Sequence, residues 1–144
     1  MVKWIIVGVY VFVLFFFASS QSSGASVMTQ AFRSWFPWLA REEVSNLVII
    51  VRKTAHVIGY FVGAILIFRA VKETKVIKKR PFVFTFCFTV LIAGVDELYQ
   101  HSLPHRTSSI YDVLLDSVGI SVALLSIFVF NKLLERTKKA PSES

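Results

Sequence analysis

The sequence predicts an all-α membrane protein, a four-helix transmembrane bundle, on three observations. Of the 144 residues, 55% are apolar, and the mean hydropathy of +0.64 is above that of a soluble domain. The apolar residues fall in four stretches, residues 4–18, 55–68, 82–95 and 117–130. The segments between them carry nearly all the charge, the Gly-Ser runs and the prolines. The expected helices cover about residues 3–20, 47–69, 81–100 and 110–131, one domain over residues 1–130, and leave 131–144 as a basic cytoplasmic tail.

The first stretch follows Met1-Val2-Lys3 and ends on Ala18-Ser19-Ser20-Gln21, which also resembles a cleavable signal peptide. Apolar runs equally short recur in the other three helices, so an uncleaved anchor is expected; cleavage would leave three helices with the same orientation. Residues 19–26 read as a flexible turn, and Trp35, Phe36, Pro37 and Trp38 as an aromatic belt on the outer leaflet. After the second helix, residues 69–80 hold six basic side chains, Arg69, Lys72, Lys75, Lys78, Lys79 and Arg80. The third helix contains the single cysteine, Cys87, which excludes an intramolecular disulfide, a paired-cysteine metal motif and a thiol redox pair. The fourth runs into a tail with Lys132, Arg136, Lys138 and Lys139.

Four spans put Lys3, residues 69–80 and the tail on one side, with eleven basic residues. The other side has five: Arg33, Arg41, Arg52, Lys53 and Arg106. The positive-inside rule then places both termini in the cytoplasm of a multi-pass protein of the cell membrane. The net charge of +7 is explained by basic residues flanking apolar runs, where they meet anionic headgroups, so no nucleic-acid partner is expected.

Helical rise sets the depth of the remaining charges. At about 1.5 Å per residue, counted from the inner ends of their helices, Arg52, Lys53, His56, Asp96, Asp112 and Asp116 fall in one slab roughly 18–27 Å deep. Helical spacing aligns Lys53, His56 and Tyr60 on helix two, Asp96, Glu97 and Gln100 on helix three, and Asp112, Asp116 and Gly119 on helix four. Gly59, Gly63, Gly94, Gly119 and Ala123 are small enough for close helix approach. A charge in the membrane costs about 2.5–3.5 kcal/mol, so these groups are expected to pair. Arg52, Lys53 and Arg106 against Asp96, Glu97, Asp112 and Asp116 leave one negative charge. That balance fits either a network that staples the helices or a site facing the outer leaflet.

The motifs resemble those of the VanZ-like membrane proteins, a family named for a teicoplanin-resistance protein. They read Lys53-x-x-His56-x-x-x-Tyr60, Asp96-Glu97-x-x-Gln100, Pro104-x-Arg106 and Ser109-x-x-Asp112-x-x-x-Asp116-x-x-Gly119, with Ser19-Ser20-Gln21 after helix one. Two positions depart from the common form: His105 stands where glycine is frequent and Asp116 where asparagine is frequent, and the extra acid favours a cation site. The resemblance implies a link to teicoplanin-type antibiotic susceptibility in the cell envelope, without a defined biochemical activity.

Four mechanisms remain open. A non-enzymatic binder of an envelope lipid or lipid-linked cell-wall intermediate would use Lys53, His56, Tyr60, Asp96, Glu97, Gln100, Arg106, Asp112 and Asp116, with Arg106 and Arg52 on phosphate oxygens. This requires a cation without an internal partner. A membrane-embedded enzyme would draw its acid and base from His56, Glu97 and Asp112, although no nucleophile motif accompanies them. A metal held by Glu97, His101, His105, Asp112 and Asp116 is the weaker reading, and neither a metal nor a cofactor is expected. A proton-coupled transporter lacks ionisable residues in the inner half of its helices. The oligomeric state is left open.

Overall fold

The computed structural model describes residues 2–19, 25–103 and 109–139, and every regular element among them is helical. The elements are α1 (Val2–Ser19), α2 (Ala25–Trp35), α3 (Arg41–Glu73), α4 (Pro81–His101) and α5 (Ile110–Lys139). By length and composition α3, α4 and α5 can each cross a membrane, and α1 is a shorter apolar helix.

The helices depart from the expected bounds in several places, and α3 also ends later than expected, at Glu73 rather than 69. Residues 25–35 form a helix between the turn expected at 19–26 and the aromatic belt expected at 35–38, overlapping the edge of each. Phe32 stacks on Phe36, and Phe36 meets Trp38 edge-on at 5.6 Å, so the aromatic segment closes on itself. The second expected helix begins near 41 rather than 47, because its polar first turn is stabilised locally. Glu43 accepts the Ala40 N–H at 2.7 Å, and Glu42 and Glu43 lie against the positive end of the helix dipole. The last helix continues to Lys139, through much of the expected tail, over a run rich in Lys, Leu, Glu and Arg, all good helix formers. The start of α4 at Pro81 needs no such help: a proline in the first turn loses no hydrogen bond.

Helix α3 is the hub. It packs on α1, α2, α4 and α5; α5 also meets α4, and α1 meets α4. An apolar core of Tyr60, Ala64, Phe68, Ala93, Ile120, Ala123 and Leu124 joins α3, α4 and α5. A second, with Val7, Ile67, Ala70 and Val71, seats α1. Trp4 donates its indole N–H to the Thr74 hydroxyl at 2.9 Å, and Lys3 pairs with Glu73, tying the start of α1 to the end of α3.

Two glycines matter for approach. At Gly119 a Cβ would lie 2.5 Å from the Val57 carbonyl oxygen, so α5 touches the α3 backbone there. At Gly59 the bare backbone exposes its carbonyl to the Tyr10 hydroxyl, which donates at 2.8 Å. Gly94, by contrast, has nothing within 4 Å of that position and serves no close packing.

Polarity is inverted relative to a water-soluble domain. Asp96, Glu97, Gln100 and Asp116 are buried, whereas Phe12, Leu98, Tyr111 and Phe130 are exposed. Burying charge while exposing large apolar side chains is stable where the surroundings are hydrocarbon. The described helices thus belong to a membrane protein.

Candidate functional site

The charged residues converge between α3, α4 and α5, above the apolar core. A cavity of about 340 Å³ is lined by Arg52, Lys53, His56, Glu97, Gln100 and Asp116, with Asp112, Ser109, Ile49 and Leu115 completing its wall. Each helix contributes by the spacing read from the sequence, so the three faces do meet.

The contacts are uneven. Lys53 Nζ donates to Asp112 Oδ1 at 2.7 Å at the more exposed rim. Beneath the cavity the Tyr60 hydroxyl donates to Asp96 Oδ2 at 2.9 Å, and the Tyr60 and His56 rings stack 6.4 Å apart. His56 Nδ1 lies 3.9 Å from Asp116 Oδ2 and 4.0 Å from Asp96 Oδ2. Glu97 Oε2 accepts the Ser109 backbone N–H at 3.2 Å, which links the end of α4 to the entry of α5. Gln100 is buried, and its Nε2 meets no acceptor among the described residues.

Several groups remain unsatisfied. Both Asp116 carboxylate oxygens are buried and accept no hydrogen bond among the described residues, although Asp116 is only 1% exposed. Arg52 Nε is also buried without a hydrogen-bond partner, and Arg52 forms no ion pair with another described residue. A buried polar atom without a partner costs about 1–3 kcal/mol, and more when charged, so these atoms mark where an external group would be welcome.

Of the expected site residues, Lys53, His56, Glu97, Gln100, Asp112 and Asp116 line the cavity, while Tyr60 and Asp96 form its floor. Arg106, with Pro104 and His105, lies outside the described residues. His101 is exposed at the end of α4 and does not join the cluster. The donors able to converge on a cation instead come from three helices: His56, Glu97 and Asp116 each offer one atom within 4.8 Å of the others.

Sequence reasoning did not find a second, apolar cleft of about 320 Å³ on the other side of α3. It is lined by Leu14, Phe17, Met28, Val51 and Ala55, and it shares Arg52 and His56 with the polar cavity and touches Asp96. Its walls come from α1 and α2 as well as α3, so hydropathy alone carries no signal for it. At the opposite end of the helices, Lys3, Arg69, Lys72, Glu73 and Asn131 border another hollow, but its charges are exposed and Lys3 is already paired with Glu73.

No curated protein and no solved structure matches the chain. The family described as VanZ/LLP1 does, over residues 4–131, a span containing every residue of the cavity and the cleft. This chain belongs to the VanZ/LLP1 family.

Proposed function

We propose that the protein is a multi-pass, four-helix transmembrane bundle that binds an anionic amphiphile from the outer leaflet, an envelope lipid or lipid-linked cell-wall intermediate. Both termini are cytoplasmic, as the asymmetry of eleven basic residues against five requires. Helices α1, α3, α4 and α5 make the four spans, and the cavity lies in the outer half. Through this ligand the protein influences susceptibility to glycopeptides such as teicoplanin, in keeping with its family.

The observation that carries the reading is the sharing of Arg52 and His56 between a polar cavity and an apolar cleft. A phosphate on the guanidinium and an acyl or prenyl chain in the cleft would occupy both at once, and the guanidinium fork suits phosphate oxygens. Among the described residues Arg52 is the cavity cation without an ion-pair partner, as a binder needs, whereas Lys53 is held by Asp112. A network whose only task was to staple helices would pair its own members, and the open valences of Arg52 and Asp116 speak against it. Catalysis is the weaker reading: Asp112 is engaged by Lys53, and the Ser109 hydroxyl near Glu97 accepts the Tyr111 N–H at 3.3 Å, as a helix cap does.

The test is lipid analysis of the detergent-extracted protein against its Arg52→Gln variant. The wild type should retain a phosphate-bearing lipid that the variant loses at unchanged expression and melting temperature. Equal lipid content in both would end the reading. Arg106→Lys, which keeps charge but loses the planar fork, should also lower retention if Arg106 leans over the cavity mouth.

A further inference from the structure

We propose that His56, Glu97 and Asp116 form a three-ligand site for a divalent first-row transition-metal ion such as Zn²⁺ or Mn²⁺. The residues come from α3, α4 and α5, and one donor atom from each already lies within 4.8 Å of the others. Ligands at about 2.1 Å from such an ion stand roughly 3.0–3.4 Å apart, so closure needs side-chain movement of about 1–2 Å and no helix displacement.

A second observation points to the same ligand. Asp116 is 1% exposed, lines the cavity, and has neither carboxylate oxygen hydrogen-bonded among the described residues. A buried carboxylate normally collects backbone or side-chain donors, and among the described residues these oxygens have none, which a cation would remedy. The charge balance agrees. With Lys53 bound to Asp112, three acids, Asp96, Glu97 and Asp116, surround His56 with Arg52 as the remaining described cation on the cavity wall. A divalent ion offsets that excess, and its own charge would dominate the site.

The donor set selects the ion. One imidazole nitrogen and two carboxylate oxygens suit borderline divalent ions, whereas calcium and magnesium favour all-oxygen shells and, for magnesium, retained waters. Asp96, anchored by Tyr60 and 4.0 Å from His56 Nδ1, adds a further negative charge beside the site. Three protein ligands leave a coordination position toward the cavity for water or an anionic oxygen.

This inference stands apart from the lipid reading: a protein that holds metal but no lipid keeps the one and loses the other. The test uses tag-free protein in detergent, stripped with a chelator, re-equilibrated with Zn²⁺ alone and washed. Wild type should retain about one Zn²⁺ per chain by elemental analysis and melt at higher temperature with Zn²⁺ than without. Glu97→Gln and Asp116→Asn should each weaken retention at least about tenfold, while Glu135→Gln, exposed near the far end of α5 and outside the cavity, should retain the ion. A wild type with no retained Zn²⁺ and no melting shift overturns the proposal, as does undiminished binding by Glu97→Gln. Should Asp116→Asn fail to fold, the wild-type melting shift and the Glu97→Gln comparison decide the matter.

Discussion

Replacing Gly119 by alanine adds one methyl group at the tightest contact between α3 and α5. The new Cβ would lie 2.5 Å from the Val57 carbonyl oxygen, 3.0 Å from its Cγ1 and 3.2 Å from its carbonyl carbon, whereas ordinary contact begins at 3.4 Å. The first neighbour is backbone and cannot swing away, so the helices must part by about 0.9 Å, an overpacking strain of about 1–3 kcal/mol. The displacement falls one turn from Asp116 and would also disturb the cavity wall. Gly94 supplies the internal control, because its added methyl meets nothing within 4 Å and alanine favours a helix by about 1 kcal/mol over glycine. Denaturant titration in one detergent, followed by circular dichroism, should show Gly119→Ala less stable than wild type and Gly94→Ala equal or more stable. Identical behaviour of the two variants would refute the claim that α3 and α5 meet backbone to backbone at Gly119.

Tyr60→Phe removes the buried hydrogen bond that Asp96 accepts from the Tyr60 hydroxyl and should cost about 1.5–3 kcal/mol in the same titration; an unchanged midpoint would deny that bond a structural role. Lys53→Gln should cost less than about 1 kcal/mol because the pair is partly exposed; a combined Lys53→Asp and Asp112→Lys exchange should regain most of it, and no regain would deny the pairing. In a Cys87→Ala background, Val76→Cys, highly exposed between α3 and α4, should resist an impermeant thiol reagent in intact cells, while Trp38→Cys should react. The reverse pattern would invert the orientation and move the cavity to the cytoplasmic half.

Features that belong to one helix at a time were legible in the sequence. The start of α4 was readable from hydropathy and Pro81, and the depth count brought Lys53, His56 and Asp112 to one level before any contact was known. The polar ends of α3 and α5 were not, since Arg41-Glu42-Glu43 and the run after Asn131 form helix through capping and propensity rather than an apolar period. Helix α2 escaped notice for a different reason: Met28, Ala31, Phe32 and Trp35 recur at helical spacing, but eleven residues are too short to span a membrane and follow a Gly-Ser run that reads as a loop. Within the site, spacing along one helix suggested His101 as a companion to Glu97, but the neighbouring histidine is His56, from a different helix. The open valences of Arg52 and Asp116 and the cleft behind them depend on how five helices meet, which no linear spacing encodes.

The Tyr60–Asp96 floor gives the molecule a direction. Below it, from Tyr60 to Phe68, about 12 Å of α3 packs in a largely apolar core that holds no described charged group, and the buried Thr89 hydroxyl of α4 is spent on the Thr85 carbonyl. On the proposed orientation the chamber is a cul-de-sac: what would enter from the outer leaflet would leave by the same door, and the basic hollow at the other end would face a separate compartment. A protein built this way can sequester, present or sense a molecule on one face of the membrane, and vectorial traffic across it would require the core to come apart.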